Sequence, residues 1–280
     1  MSHIQQMTFL EVISKHASKN YSNRKILEVG SYNVNGGVKK LFKNSNYIGV
    51  DLIDGPGVDI VMSGHLLKHQ DNEYDITLST ECFEHNPFWR ETFLNMHRMT
   101  KDNGLLIFTC ASRGRLEHGT QRTNAMHSPG TQVSGWNYYM NLNKKNFKKI
   151  FDLNLMFKDH LFIYNKKSCD LYFVGKKHGD TISEDLYFNK KLLLEENTHA
   201  QNIVENDLAL SRKSEFNKQP ITIKILLTLS NIIYSPTKLA HHLLPDRLFQ
   251  NFYFEYDRLV KKSTRGLRYL LKKVLIRSTS

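Results

Sequence analysis

The stretch ILEVGSYNVNGGV at residues 26–38 decides the fold, together with YIGVD at 47–51 and YDITLSTECFEH at 74–85. Each run is strand-like, and each ends in a turn rich in glycine or acidic residues. Strand-like runs lie at 25–30, 46–51, 58–62, 73–79 and 104–110, with intervening segments long enough for helices or crossover loops. This alternation predicts an α/β chain with a mostly parallel sheet, whose strands end at one common edge.

Other segments of the front part have weaker signals. We expect a helix at 3–20, because apolar residues recur there near helical spacing. A second helix is expected from Asn86-Pro87 to about residue 99, because proline suits the first helical turn. Residues 101–104, KDNG, are expected to turn the chain into the fifth strand. Residues 112–141 are polar and without periodicity, which predicts a long loop that is either functional or disordered.

The second half of the chain changes character along its length. Asn143 is expected to cap a short helix, and the runs 155–164 and 169–176 predict a hairpin at the sheet edge. Residues 178–219 are polar and favour a connecting helix, whereas the segment after Pro220 is strongly apolar and then basic. We therefore divide the chain into a front domain at 1–180 and a helical, basic extension at 181–280.

Composition limits the class of protein. Of 280 residues, 40% are hydrophobic and 24% charged, as in globular proteins, and no run of about 18 apolar residues predicts a spanning helix. The first residues lack the features of a signal peptide, so we expect a cytoplasmic chain. Three distant cysteines fit no zinc spacing and are expected to be reduced. Residues 220–280 contain 11 Lys and Arg against 3 Asp and Glu, so much of the net charge of +12 belongs to the extension.

The ends of the first two strands predict a nucleoside ligand. A glycine after a buried strand, here Gly30, lets the backbone turn tightly and approach a ligand, and a following helix N-terminus would offer amide groups to an anionic group. Asp51 follows Gly30 by 21 residues, near the spacing of about 20 expected for an acid that accepts hydrogen bonds from ribose hydroxyls. The glycine loop does not read GxGxxG, which argues against a pyrophosphate and hence against NAD.

The run YDITLSTECFEHNPFW through NGLLIFTCAS resembles the later motifs of the class I S-adenosylmethionine-dependent methyltransferases, over roughly residues 24–112. The resemblance implies a Rossmann-like, doubly wound sheet and S-adenosylmethionine as cofactor. It further implies nine cofactor-binding residues, which would contact the methionine end, the adenine and the methyl side of the cofactor. These residues are Glu28, Gly30, Ser31, Asp51, Leu52, Ser63, Gly64, Thr80 and Glu81. The loop departs from the family pattern at Tyr32, where a second glycine is usual.

Three histidines are candidates for the base that an alcohol acceptor requires. His118 follows the fifth strand and has an acidic neighbour in Glu117, so it ranks first. His85 belongs to the E-H pair after the fourth strand, and His127 lies in the same long loop as His118. Carboxylates and imidazole also suit a metal ion, but the sequence supplies no clear third ligand beside Glu81 or Glu84 and His85, so no metal site is predicted.

The substrate class rests on resemblance. Chains with ECFEHNPFW and EHGT look like methyltransferases of bacterial surface-polysaccharide synthesis, which implies a carbohydrate or sugar-linked acceptor. The aromatic residues Trp89, Trp136, Tyr138 and Tyr139 suit the apolar face of a sugar or the packing of a lid. An unrelated small-molecule acceptor and a non-catalytic adenosine-binding module that tethers a complex remain alternatives.

The end of the extension alternates apolar and cationic residues. Residues 258–277 have the form of an interfacial helix attracted to an anionic membrane surface, which would place the protein peripherally at the inner face of the membrane. A helix docked on its own domain or on a second subunit is the alternative. No recognisable nucleic-acid-binding module accompanies the charge, so nucleic acid is not expected as a partner.

Overall fold

A computed structural model describes residues 3–17, 23–34, 36–179 and 186–263. The front strands are β1 (Lys25–Val29), β2 (Asn46–Asp51), β3 (Ile60–Val61), β4 (Tyr74–Thr80) and β5 (Thr100–Ala111), followed by β6 (Phe157–Asn165) and β7 (Asp170–Lys177). The helices are α1 (Ile4–Ala17), α2 (Trp89–Met99), α3 (Pro129–Val133), α4 (Lys144–Ile150), α5 (Leu153–Met156), α6 (Lys190–Lys218), α7 (Ile221–Ile233), α8 (Ser235–Leu243) and α9 (Asp246–Ser263).

The seven strands form one sheet in the order β3-β2-β1-β4-β5-β7-β6. β1 to β5 are parallel, and β7 pairs antiparallel with both β5 and β6. The predicted α/β class, the parallel order and the hairpin at the edge are therefore confirmed. The carboxyl ends of β1, β2 and β4 lie next to one another, and these are the ends that carry the glycine and acidic turns.

Both faces of the sheet are covered, because successive side chains of a strand point to opposite faces. Leu106 and Phe108 pack into a cluster with the α2 residue Phe93, whereas Ile107 packs into a second cluster with Phe9 and others from α1. Burial on both sides explains why the LLIFTCA part of β5 is a nearly continuous apolar run. The sheet is thus a rigid base for the loops at its carboxyl edge.

Several local expectations need correction. Pro87 lies before α2, which begins at Trp89, and the Asn86 side chain accepts a hydrogen bond from the Phe88 amide at 2.8 Å. Residues 101–104 belong to β5, which begins at Thr100, and the left-handed Asn103 accompanies an irregular register between β4 and β5. Between β1 and β2, the described residues form only a short 3-10 helix at Lys39–Leu41. The glycine loop is therefore not followed by the expected helix N-terminus.

Later elements agree more closely with expectation. Asn143 caps α4, and its side chain and that of Asn146 form a reciprocal capping box. The 112–141 loop contains a 3-10 turn at Ala125–His127 and the short helix α3, neither of which was predicted. The three cysteines are free, with Cys110 buried.

The chain divides into two compact units, Met1–Leu210 and Ser211–Ser280. The second unit contains α7, α8 and α9, and of the segment predicted to bind membranes only residues 258–263 are described, while 264–277 lie outside the described residues. Among the helices that the structure describes, none is both long and apolar enough to cross a membrane.

Candidate active site

A cleft opens where β1, β2 and β4 end, and it encloses about 920 Å³ when its solvent-open mouth is included. All nine residues predicted to bind the cofactor line this one cleft: Glu28, Gly30, Ser31, Asp51, Leu52, Ser63, Gly64, Thr80 and Glu81. Their individual contacts with a cofactor stay a prediction.

Gly30 makes the turn that opens the cleft at the end of β1. Its φ of 87° lies in the left-handed region, and a Cβ at this position would lie 2.6 Å from the Cβ of Cys82. The amides of Gly30 and Ser31 both donate to the carbonyl of Val50, at 2.8 and 3.1 Å. Only glycine fits this turn without strain, and the turn is tied directly to the end of β2.

Asp51 is held in place by backbone amides. Its Oδ2 accepts from the Tyr32 amide at 2.9 Å, and its Oδ1 accepts from the Leu52 amide at 2.7 Å. Burial raises the pKa of the carboxyl group, while the hydrogen bonds from Tyr32 and Leu52 act in the opposite direction. Each carboxylate oxygen has a second lone-pair site, so Asp51 can still accept hydrogen bonds from a diol.

Glu28 lies deeper at the same edge and is 5% exposed. Its Oε2 accepts from the Tyr47 hydroxyl at 2.7 Å, and its Oε1 accepts from Thr80 Oγ1 at 3.0 Å. Burial raises the pKa of Glu28 to about 7, against the opposing effect of these two hydrogen bonds. Near neutral pH this group is therefore divided between its neutral and charged forms.

Glu81 follows Thr80 in a left-handed conformation, with φ of 51°. Its two carboxylate oxygens are buried and have no hydrogen-bond partner among the described residues. Burial, followed by repulsion from Asp170, raises the pKa of Glu81. An acid in this state is poised to accept hydrogen bonds from a positively charged ligand group, because an unpaired buried carboxylate is costly.

The adenine side of the cleft contains the remaining predicted residues. Ser63 Oγ lies 2.7 Å from His65 Nδ1, and the carbonyl of Gly64 accepts from Asn95 Nδ2 at 2.8 Å. A Cβ on Gly64 would lie 2.4 Å from Val29 Cγ1, so this position admits no side chain without a shift. Gly64 is thus packed closely beside β1.

The 112–141 loop supplies the opposite wall of the cleft, through Trp136 and the segment His127–Thr131. A Cβ on Gly130 would lie 3.0 Å from Asp51 Oδ1 and 3.3 Å from Leu52 Cβ. Of the residues in this wall, only His127 and Trp136 were candidates from the sequence. The Ser128-Pro129-Gly130 turn was a visible signal for the rest, because such residues mark a defined turn within a polar loop.

The structure brings two of the candidate histidines together. His85 lines the cleft and His118 does not, and their Nε2 atoms are 3.3 Å apart. His118 Nδ1 lies 3.0 Å from the carbonyl of Leu116, so Nδ1 carries the proton and Nε2 has the lone pair. Burial lowers the pKa of His118 to about 4 and that of His85 well below its usual range. Both rings are neutral at physiological pH.

The third histidine and the expected acid occupy other positions. His127 lines the cleft, and its ring centre is 6.4 Å from that of His118. Glu117, which was expected to influence His118, forms an ion pair with Arg122 and accepts from Thr120 Oγ1 at 2.6 Å. The histidine cluster therefore lies beside the cleft with its acid Glu117 engaged elsewhere.

The aromatic candidates separate by burial. Trp89 is fully buried and packs on Phe147, with ring centres 4.9 Å apart, so it belongs to the core and cannot contact an acceptor. Trp136 lines the cleft and contacts Phe88 edge to face at 5.4 Å, and Phe88 in turn stacks on His65 at 4.2 Å. Trp136 and Phe88 thus form an accessible aromatic surface.

Comparisons with known proteins find methyltransferases. A family model described as a methyltransferase domain matches residues 36–108. The YcgJ protein from Bacillus subtilis is 12% identical, with a TM-score of 0.43, and the match covers 61% of this chain and 99% of that one. The 1,6-didemethyltoxoflavin-N1-methyltransferase of Burkholderia thailandensis, solved with S-adenosylhomocysteine, has the same identity and TM-score, with 61% and 79% covered. No curated protein matches significantly.

The match to the methyltransferase domain includes β2, β3 and β4 and most of β5. The sheet order is that of a Rossmann-like fold, and the acids at the strand ends suit a cationic nucleoside ligand. Residues 36–108 thus match a methyltransferase domain, which supports an S-adenosylmethionine-dependent methyltransferase activity.

Proposed function

We propose that the enzyme methylates an oxygen of a carbohydrate or sugar-linked phosphate compound, as in surface-polysaccharide synthesis. This proposal depends on one observation: the His85–His118 pair and Trp136 lie beside the same cleft as the predicted cofactor residues. An aromatic face suits the apolar face of a sugar ring, and neutral imidazoles suit the activation of a hydroxyl group.

The charge of the cleft supports the cofactor assignment. Glu28, Asp51 and Glu81 all line it, and a sulfonium compound that also carries an ammonium group suits such an acidic cleft. When bound, S-adenosylmethionine supplies an electrophilic methyl group. Asp51 would hold the ribose hydroxyls, while Glu28 and Glu81 would orient the methionine end.

The chain's own contribution to methyl transfer is alignment and the exclusion of water. The reaction is an in-line displacement, so holding the acceptor against the methyl group lowers the entropic part of the barrier. The wall formed by His127–Thr131 and Trp136 narrows the cleft opposite the sheet edge. This wall would shield the reacting atoms from solvent.

The test is the transfer of a labelled methyl group to a panel of acceptors that includes free sugars, nucleotide sugars, phosphosugars, catechols and amines. We expect labelled product only with sugar-containing acceptors, and mass spectrometry of fragments should place the methyl group on oxygen. Trp136→Ala should raise the KM for the acceptor, whereas Trp136→Phe should retain most of the affinity. Turnover of catechols or amines alone would favour the small-molecule alternative, and cofactor binding without any turnover would favour the non-catalytic module.

We also propose that the second unit binds an anionic membrane surface. Four apolar side chains of α7 recur at helical spacing and are 45 to 71% exposed, namely Ile221, Ile225, Leu229 and Ile232. An exposed apolar row on a helix, in a part of the chain rich in Lys and Arg, is typical of an interfacial helix. Flotation with anionic vesicles tests this proposal: Ile225→Lys with Leu229→Lys should reduce the bound fraction, and flotation equal to that of the wild type would refute it.

A further inference from the structure

Three side chains next to the cleft meet the spacing of a metal site. Glu84, His85 and His118 each offer one ligand atom, and these atoms lie within 4.8 Å of one another. Glu84 and His85 are buried, and His118 is half-buried. The sequence shows Glu84 and His85 as neighbours, but the third ligand comes from a loop 33 residues further along the chain.

The distance between the two imidazoles is compatible with a shared cation. The Nε2 atoms of His85 and His118 are 3.3 Å apart, which is long for a hydrogen bond. Two nitrogens that bind one tetrahedral ion at about 2.0–2.1 Å lie roughly 3.3–3.4 Å apart. The His118 Nδ1 proton is directed to Leu116 O, so the Nε2 lone pair already faces the space between the rings.

The carboxylate of Glu84 supplies the second reason. The residue is fully buried, and its two oxygens have no hydrogen-bond partner from another described residue. Buried polar atoms without a hydrogen-bond partner are unfavourable, and a cation at this place would supply a partner. A second cluster, His3, Glu81 and Asp170, is a weaker candidate, because His3 lies 2.8 Å from Asp170 and Arg115 lies 3.6 Å from it.

We propose that Glu84, His85 and His118 bind a divalent transition-metal ion, with zinc as the best match. Two imidazoles and one carboxylate are typical ligands of a zinc site that leaves one position open for water or substrate. Magnesium is disfavoured, because it prefers oxygen ligands only.

The chemical role of this site rests on the proposed function. His85 also lines the cofactor cleft, so a hydroxyl group at the open position would lie beside the cleft. The ion would lower the pKa of that hydroxyl group. The O–H bond then breaks with release of its proton to water, the oxygen forms a bond to the methyl carbon, and the electron pair of the breaking S–CH3 bond stays on sulfur.

Metal binding can be measured without the acceptor. The protein, stripped with a chelator and dialysed, is titrated with Zn2+ by calorimetry, and Co2+ is added separately to record visible absorption. We expect one Zn2+ per chain, a higher Tm with zinc, and Co2+ bands typical of four-coordination. Glu84→Gln and His118→Gln should each weaken zinc binding by roughly 100-fold, in line with the loss of a ligand.

The control is His199→Gln, because His199 is exposed on α6 and its loss leaves the cluster intact. It should bind zinc like the wild type. If Glu84→Gln fails to fold, the half-buried His118 still provides the test. Wild-type protein that binds no zinc, or a His118→Gln variant that binds as tightly as the wild type, would overturn the inference. Calorimetry with S-adenosylmethionine separates this failure from that of the proposed function, because none of the three proposed metal ligands belongs to the predicted cofactor-binding residues.

Discussion

The buried acid Glu28 should make the stability of the first unit depend on pH. The pKa of its carboxyl group is raised from 4.5 to about 7, mainly by burial. A raised pKa means that the folded state holds the proton more tightly than the unfolded state, so the contribution to stability is complete below pH 4.5 and is lost as pH rises to about 7. At about 1.36 kcal/mol for each tenfold change in proton affinity, the loss amounts to about 3 kcal/mol.

The perturbation is Glu28→Gln, which keeps the shape and can still hydrogen-bond to Tyr47 and Thr80 but does not titrate. Urea unfolding of both proteins is followed by tryptophan fluorescence between about pH 4.5 and about pH 8. The two tryptophans of the chain, Trp89 and Trp136, both lie in the first unit, so the signal reports that unit. The difference in unfolding free energy, wild type minus variant, should fall by about 3 kcal/mol as pH rises across this range.

A constant offset between the two proteins has no bearing on the result, because the amide can change stability equally at all pH values. The slope of the difference is the decisive quantity. Two parallel curves, within about 0.5 kcal/mol across the range, would refute the account of Glu28 as a buried acid with a raised pKa.

Three further outcomes follow from the geometry of the site and the core. Gly30→Ala should destabilise the protein by about 1–2 kcal/mol or more and weaken cofactor binding, because Gly30 has a positive φ and a Cβ there would contact Cys82. Gly37→Ala is the control and should be nearly neutral, because a Cβ at Gly37 would have no contact shorter than 3.4 Å. Equal Tm values for the two variants would contradict this prediction. Asp51→Ala should raise the Kd for S-adenosylmethionine at least about tenfold by calorimetry, since hydrogen bonds to a charged group contribute about 1.5–3 kcal/mol, and an unchanged Kd would reject the ribose site. Trp89→Ala should cost about 3–5 kcal/mol in urea unfolding followed by circular dichroism, and a loss below about 1 kcal/mol would contradict its place in the core.

The sequence determined the sheet because its strands are buried on both faces. Runs such as β1 and the LLIFTCA part of β5 are largely apolar, and runs of this kind separated by crossover segments are typical of parallel strands covered on both sides. Gly30 and Asp51 were also readable, since a turn after a strand and an acid after the next strand are local features. The prediction that α2 begins at Asn86-Pro87 was wrong, because the Asn86 side chain accepts a hydrogen bond from the Phe88 amide and the helix begins at Trp89.

Only the tertiary structure decided what faces these strand ends. Gly130 lies against Asp51 although 79 positions separate them, and His118 meets His85 across 33 positions. Nothing in the local pattern of the 112–141 loop fixes such contacts, because a polar loop without periodicity obtains its path from packing and hydrogen bonds to distant backbone. The chain thus specified by itself the sheet edge and the acids for a nucleoside ligand, whereas the opposite wall and the Glu84–His85–His118 cluster exist only once the fold brings distant segments together.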